Sequence, residues 1–446
     1  MSKIAALALV AALALVPFIG GANPSPQPDP PPSVEQLIEQ LGDCDFRQRD
    51  AAVKQLEALG PAALPALRKA RNHDDPEVRR RVNDLIPTLE TALLLAPKRV
   101  TLDVKQKPIR QVLDEVTKQT GYKIECWVNN EQQLYDFAIK DQPFWPTIDQ
   151  LCRASGLVLQ QGYGDDRLRL HQQDGYVPYI CYDGPVRIVA NSFNHYRNVD
   201  FSFLSRAPQG SRRSDTLNFI FSIFVEPRLP LLGIGEVKLL TVVDDQQQSM
   251  LPPGHNGEGI DVINGGVRRW TSRYGNGYRS YSHQAQVALG KPSAKAQAVK
   301  LIQGTVPVLL LTEQKPEVVT DKVLASKGKK VKVDTTSFSI EDVTETANKQ
   351  YQLKMTITEE SKDNPNDYTW INSLYQRIEL QDEQGNKYQM YGNSWGGNGP
   401  NHANVTFTYA NPGGNAKLGP PSKLVYYSWS TLQHQVKFEF RDLPLP

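Results

Sequence analysis

From about Gly175 to its end the chain places apolar residues at every second position in one segment after another, which commits most of the molecule to β-strands. Leu217–Val225 is apolar on both faces and is bounded by Pro227, the pattern of a strand buried in a layered β domain. Val237–Val243, Tyr281–Leu289 and Val306–Leu311 follow, each limited by Gly, Pro or Asp. Tyr281, His283, Ala285, Val287 and Leu289 share one face. Tyr351, Leu353, Met355 and Ile357 alternate in the same way, as do Leu432, His434, Val436, Phe438 and Phe440. Strands at this spacing, with turn signals between them, predict β-sandwiches rather than βαβ units. The stretch is too long for one common sandwich. Two sandwich-like domains are therefore expected, 174–320 and 321–446, divided before the Lys-rich turn KGKKVKVD.

The start of the chain sets its address. Lys3 is followed by an almost unbroken apolar run, Ile4–Ile19, and by the small residues Gly20, Gly21 and Ala22, the pattern of a secretory signal peptide over 1–22. The mature chain is expected to be exported, periplasmic or extracellular, where ATP-driven or nicotinamide chemistry is out of place. With no cysteine near the cleavage point, a lipid-anchored form is not expected. Residues 23–32 (NPSPQPDPPP) form a proline-rich spacer. Beyond residue 22 no apolar run approaches the ~20 residues that span a bilayer, so no membrane-spanning segment is expected after cleavage. A net charge of +2 argues against nucleic acid as a partner.

Residues 33–95 switch to Ala, Leu, Arg and Glu at helical spacing. Ser33 can cap a first helix with Leu37, Ile38 and Leu41 inward. Asp45 opens a second helix with Phe46, Ala52, Val53, Leu56 and Leu59 inward, and Gly60 ends it. Pro61 starts a third with Leu64 and Leu67 inward, and Asp75 a fourth with Val78, Val82, Leu85 and Ile86 inward. The second and fourth helices repeat: Asp45 matches Asp75, Arg49 matches Arg79, Ala52 matches Val82, Leu56 matches Ile86 and Leu59 matches Leu89. This Asp–x₃–Arg motif with its Ala-Leu stripe resembles HEAT-type helical repeats. Two repeats fall short of a solenoid, so a small helical cap or docking piece is implied.

Residues 98–173 read as βαββαββ. Val100, Leu102 and Val104 form a strand, Pro108–Gly121 a helix, Tyr122–Val128 a strand and Phe137–Ile139 another. Pro146–Gly156 is a second helix, and strands over Leu157–Gln160 and Leu168–His171 close the unit. The phrases PIRQVLDEVTKQTG and LCRASGLVL, each a helix between strands, resemble the secretin and TonB short N-terminal (STN) domain. In that family the module is a protein-contact domain at the entrance of outer-membrane machines. The departure here is that no ring or barrel domain follows, which implies envelope contact rather than transport.

Reactive chemistry is sparse. Cys126 and Cys152 are the one pair placed to form a bridge, the alternative being two buried thiols; Cys44 and Cys181 have no mates. No Cys/His spacing predicts a metal site, and no cofactor is expected. Gly392-Asn393-Ser394-Trp395-Gly396 spells G-x-S-x-G, but the following Gly397-Asn398-Gly399-Pro400 cannot start the helix that a nucleophile elbow requires, so a loop between strands is expected. His402 and His434 lie downstream with no parallel α/β pattern to hold them. Asp165–Asp166 reads as a turn and Asp244–Asp245 as a strand end, and no catalytic pair is assigned. His283 and His434 lie on apolar strand faces. Arg79, Arg80 and Arg81 read as a solvated helix side.

One segment stands out as a binding surface: Arg268, Arg269, Trp270, Arg273, Tyr274, Tyr278 and Arg279, interrupted by Gly275 and Gly277. Aromatic faces beside guanidinium groups can stack on sugar rings or hold acidic ligands. Arg206, Arg212 and Arg213 could extend this positive region from a neighbouring loop. The expectation is a multidomain α+β protein of the cell envelope, a non-catalytic adaptor for an envelope protein or a cell-wall polymer. The alternative is an extracellular hydrolase acting on polysaccharide or peptide from a site between the β domains.

Overall fold

Ser33 opens the first helix, α1 (Val34–Gln40), with a reciprocal cap: its hydroxyl accepts the Gln36 N–H while the Gln36 side chain accepts the Ser33 N–H. The computed structural model describes residues 32–160, 167–173, 175–200, 212–252, 261–263, 266–268, 279–346, 350–360, 369–399, 401–414 and 417–446. The expected signal peptide and all but the last residue of the spacer lie outside these. The fold is mixed α+β and divides into two units at Leu95/Ala96.

In the first unit, α2 (Phe46–Leu59) is capped by Asp45, α3 (Leu64–Lys69) follows a short 3₁₀ turn, and α4 (Pro76–Leu95) is capped by Asp75, which accepts the N–H groups of Glu77 and Val78. The sequence repeat has a shared physical basis. Arg49 donates to the Asp43 carbonyl at 2.6 Å and Arg79 to the His73 carbonyl at 2.7 Å, so each arginine clamps the turn just before its own capping Asp. Leu37, Leu41, Ala52, Leu56, Leu67, Val82 and Ile86 lie in one core. Phe46 and Leu59, expected inward, are 61% and 43% exposed. They occupy the two ends of α2, and the Phe46 ring instead lies under the Arg49 guanidinium. Arg80 and Arg81 both pair with Glu77, so the basic run is an ionic cluster rather than a simply solvated side.

The second unit opens with β1 (Arg99–Pro108), α5 (Ile109–Thr120), β2 (Lys123–Trp127), β3 (Leu134–Pro143), α6 (Phe144–Ser155), β4 (Leu157–Leu159) and β5 (Arg167–Gln172). Both helices start directly behind a proline and stop at a left-handed glycine, Gly121 or Gly156. β1 pairs antiparallel with β3, β2 runs parallel to β5, and β4 pairs antiparallel with β5. Cys126 and Cys152 are both buried, and all four cysteines are free, so no bridge joins them. Burial pushes the Cys152 thiol up to about 12.

The remainder of this unit is β-rich: β6 (Ile180–Asp183), β7 (Val186–Asp200), β8 (Arg212–Val225), β9 (Leu231–Ile234), β10 (Lys238–Asp244), β11 (Asp261–Ile263), β12 (Gly266–Arg268), β13 (Ser282–Leu289), β14 (Ala298–Thr320), β15 (Lys330–Val333), β16 (Thr336–Glu345) and β17 (Tyr351–Glu359). It ends with α7 (Thr369–Arg377), β18 (Ile378–Gln381), β19 (Gln389–Gly399), β20 (His402–Ala410) and β21 (Lys423–Pro444). Three sheets dominate, with strand orders β13-β8-β7-β6, β10-β14-β21-β18 with β9 added on β14, and β15-β16-β17-β20-β19. Phe219 and Phe221 of the first meet Phe440 and Phe438 of the second, at ring separations of 5.8 and 5.0 Å. At the other end of the second sheet, Tyr426 meets Phe338 of the third at 5.0 Å.

β14 and β21 stay paired from Ala298↔Pro444 to Thr320↔Leu424. A boundary at 320/321 therefore does not divide the β regions cleanly. The last strand returns to complete the sheet that residue 298 begins, and the segment after Thr320 is enclosed between the two paired strands. Arg212 and Arg213, read as part of a loop, are backbone of β8 paired with Asp200 and Val199; Arg206 lies outside the described residues.

Candidate functional site

The predicted aromatic–arginine surface is reached by the structure only at its ends. Arg268 contributes backbone to the end of β12, and Arg269, Trp270, Arg273, Tyr274 and Tyr278 lie outside the described residues. Arg279 is partly buried: its backbone N–H donates to Gln376 at 2.8 Å, and its guanidinium donates to Gln314 at 3.0 Å. It fixes the start of β13 against the β14·β21 ribbon.

The G-x-S-x-G string is not the loop expected but part of the outermost strand β19. Ser394 is exposed and stands opposite Thr406, in extended pairing rather than in the turn that gives a nucleophile its reach. Asp244, with no exposed surface, accepts the N–H groups of Gln246, Gln248 and Ser293. Burial opposes its ionisation, but these bonds outweigh it and hold the carboxyl below its ordinary range, which makes Asp244 a turn-building residue. Asp165–Asp166 lies outside the described residues. Burial lowers the basicity of His283 and His434. A pair not singled out from the sequence, His195 and Asp215, is joined by Lys291 at 3.0 Å in an exposed ionic cluster, which holds Asp215 at about 2. Among the described residues no group of His, Cys, Asp and Glu is placed to hold a metal ion, and no helix is long and apolar enough to cross a membrane.

Two buried polar nodes join the small α+β module to the β region. Glu226 accepts the Tyr122 hydroxyl at 2.7 Å, the Lys98 N–H at 3.0 Å and the Arg228 guanidinium at 3.2 Å. Arg187, 3% exposed, grips both oxygens of Asp149, and the Tyr182 hydroxyl donates to the same carboxylate at 2.8 Å. The cavity beside this pair measures about 20 Å³, room for a single water. Both nodes are mechanical joints.

The surface that the sequence reading passed over is the outer face of the β15–β19 sheet. Its inner face, Phe338, Ile340, Leu353, Met355, Ile357, Val405 and Phe407, is buried. Period-two alternation therefore turns the residues between these outward, and Ser339, Lys354, Thr356 and Thr406 are all polar. Strand register lines them up in rows across the sheet. One row runs Lys332, Ser337, Thr358, His402 and Gly399; the next runs Lys330, Ser339, Thr356, Asn404 and Gly397. An open groove of about 490 Å³ lies over the lysine end, lined by Lys330, Lys332, Ser337, Ser339, Thr356 and Thr358.

Ion pairs frame this groove. Glu341 accepts from Thr356 and pairs with Lys354 at 3.2 Å, and these contacts, the hydroxyl first, hold its carboxyl below the usual range. Lys332 bonds to Glu360, which raises the affinity of its amine for the proton. Lys330 has no acidic partner among the described residues. Short hydroxyl and amide side chains can donate and accept hydrogen bonds in many directions, and the Lys330 ammonium, with no carboxylate beside it among the described residues, favours an anionic ligand. Nothing in the rows pairs a nucleophile with a base. The sequence did carry a signal: Gln352, Lys354, Thr356 and Thr358 are the polar half of the alternation whose apolar half marked β17. No family model, curated protein or solved structure matches this chain.

Proposed function

We propose that this protein is a non-catalytic binding protein of the cell envelope that holds an acidic, hydroxyl-rich polymer on the outer face of its five-stranded sheet. The observation that carries this reading is the pair of aligned polar rows under the open groove, with Lys330 and Lys332 at one end. Rows of hydroxyls at strand spacing match the repeating donors and acceptors of a saccharide chain. The lysines supply attraction to its acidic groups. The signal peptide read at 1–22 supports an exported location, and the βαββαββ order of residues 99–172 supports an STN-like contact module in the same chain as the polymer-holding sheet. The clamp shared by Arg49 and Arg79 supports a HEAT-like pair in the first unit.

The test is co-sedimentation and calorimetry of the full mature chain with polygalacturonate, against a neutral glucan as control. Binding to the acidic polymer alone is expected. The double substitution Lys330→Glu, Lys332→Glu is expected to weaken it about tenfold or more, which corresponds to about 1.4 kcal/mol. A double variant that binds as tightly as the parent would remove this face from consideration.

A further inference from the structure

The two β regions repeat one strand plan. The order β6-β7-β8-β13 of the first matches β15-β16-β17-β20 of the second, with β19 an extra strand. The shared sheet, β10-β14-β21-β18, reads the same from either end, as a two-fold relation between the regions requires. Irregularities recur at matching places. A bulge interrupts β7·β8 between Ala190 and Ser192, and β16·β17 between Ile340 and Asp342. The Glu226 N–H donates to the Pro185 carbonyl, and the Glu360 N–H to the Thr335 carbonyl. Asp244 bonds to the Gln248 carbonyl through its own N–H and accepts the Gln248 N–H on its carboxylate; Asp382 does the same with Asn386.

This equivalence sets the polar groove of the second region where the first region carries α6. The row Tyr182, Arg187, Phe224 corresponds to Lys332, Ser337, Thr358. In the first region α6 lies across that row. Its Trp145 ring is 6.2 Å from Phe224, and the Trp145 indole donates to the Pro185 carbonyl at 2.9 Å. Its Asp149 carboxylate is held by the Arg187 guanidinium at 2.7 Å and the Tyr182 hydroxyl at 2.8 Å. Arg187 and Phe224 are buried there, whereas Ser337 and Thr358 are half-buried under the open groove.

We infer that the groove holds a ligand carboxylate over Ser337, at the place where the first region holds the Asp149 carboxylate over Arg187. The inference rests on the acidic-polymer reading and adds to it the seat of the acidic group. The Ser337 hydroxyl donates to the carboxylate. Lys330, with no acidic partner among the described residues, supplies the charge that Arg187 supplies in the first region. The ground around the seat selects the kind of ligand. A docked helix such as α6 rests on apolar side chains, Val189 and Phe224, and their counterparts are Ser339 and Thr358. Hydroxyls in those places favour the hydroxyl-rich face of an acidic saccharide over a second helix.

Calorimetry of the full mature chain with polygalacturonate tests this through two opposite substitutions at the seat. Ser337→Asp sets a fixed carboxylate where the ligand's would lie and is expected to weaken binding about tenfold, whereas Ser337→Arg restores the guanidinium of the first region and is expected to tighten it about threefold. Gln389, exposed on β19 at the far corner of the same sheet, is the control: Gln389→Glu and Gln389→Arg should each leave binding within about twofold of the parent. Binding that both Ser337 variants leave unchanged, but that the Lys330→Glu, Lys332→Glu double variant loses, would overturn the carboxylate seat and keep the polymer reading. A parent that binds no polygalacturonate would overturn both. Capture of a peptide with the α6 sequence, Phe144–Ser155, in place of the polymer would also overturn the seat, by making the groove a helix dock.

Discussion

Glu226 is a carboxylate with no exposed surface, held by a tyrosine hydroxyl, a backbone N–H and one arginine. Burial raises its proton affinity above the ordinary value of 4.5 in spite of those bonds. Because the folded form takes up the proton more readily than the unfolded form, this residue's contribution to stability is greatest in acid and declines as pH climbs from about 4.5 through the raised folded value. Glu226→Gln keeps an acceptor for Tyr122 and Lys98 but cannot ionise, so its melting temperature relative to the parent should rise steadily over that window. A flat difference would contradict this account. Glu226→Ala leaves Arg228 and two other donors unsatisfied and should cost about 3 kcal/mol in chemical denaturation. The residue sits in plain view between the apolar strand and Pro227, yet its role is not readable there, because Lys98 and Tyr122 lie 128 and 104 residues away. Local devices are legible by contrast: Asp75 and Arg79 act on their own turn. Asp75→Ala should destabilise the helical unit by about 1 kcal/mol, measured by urea denaturation.

At the level of elements, periodicity carried most of the information. Helices bounded by Pro and Gly, and strands with one buried face, could be placed from spacing alone, because burial of one face is a local pattern. Strand partners could not, since pairing is set by contacts far apart in sequence. β14 shows the difference: Val306–Leu311 marked its centre, and the flanking extensions, 298–305 and 312–320, became visible only through β21. Gly304 in that strand is a second case. A methyl group there would come within 2.5 Å of the Phe438 ring and 2.7 Å of the Lys238 carbonyl oxygen. The carbonyl belongs to the neighbouring strand β10 and cannot step aside. Gly304→Ala should therefore lower stability by about 2 kcal/mol, in thermal or chemical denaturation, although alanine is the smallest replacement available. On the face of the β15–β19 sheet, half of each alternation defined the core and the other half the candidate site, so attention to apolar residues alone hid the surface.

For the molecule as a whole, the β14·β21 pairing ties the two β regions into one cooperative body. Heating should melt them together, in one calorimetric transition for both. A chain ended after Ser422 loses the partner of β14 along its whole length. It should lack the far-ultraviolet β signal of both regions, not only of the one nearer the cut. An intact first β region in such a chain would show that the shared sheet is not what unites them.

The same pairing has a consequence for biosynthesis. A ribosome delivers residue 298 long before residue 444, so the half-built sheet must wait, apolar side uncovered, until the final strand emerges. Val299, Ile302 and Val306, fully covered in the finished molecule, lack their β21 neighbours throughout that interval. A nascent chain of this design should therefore be most prone to aggregate before its last strand has paired.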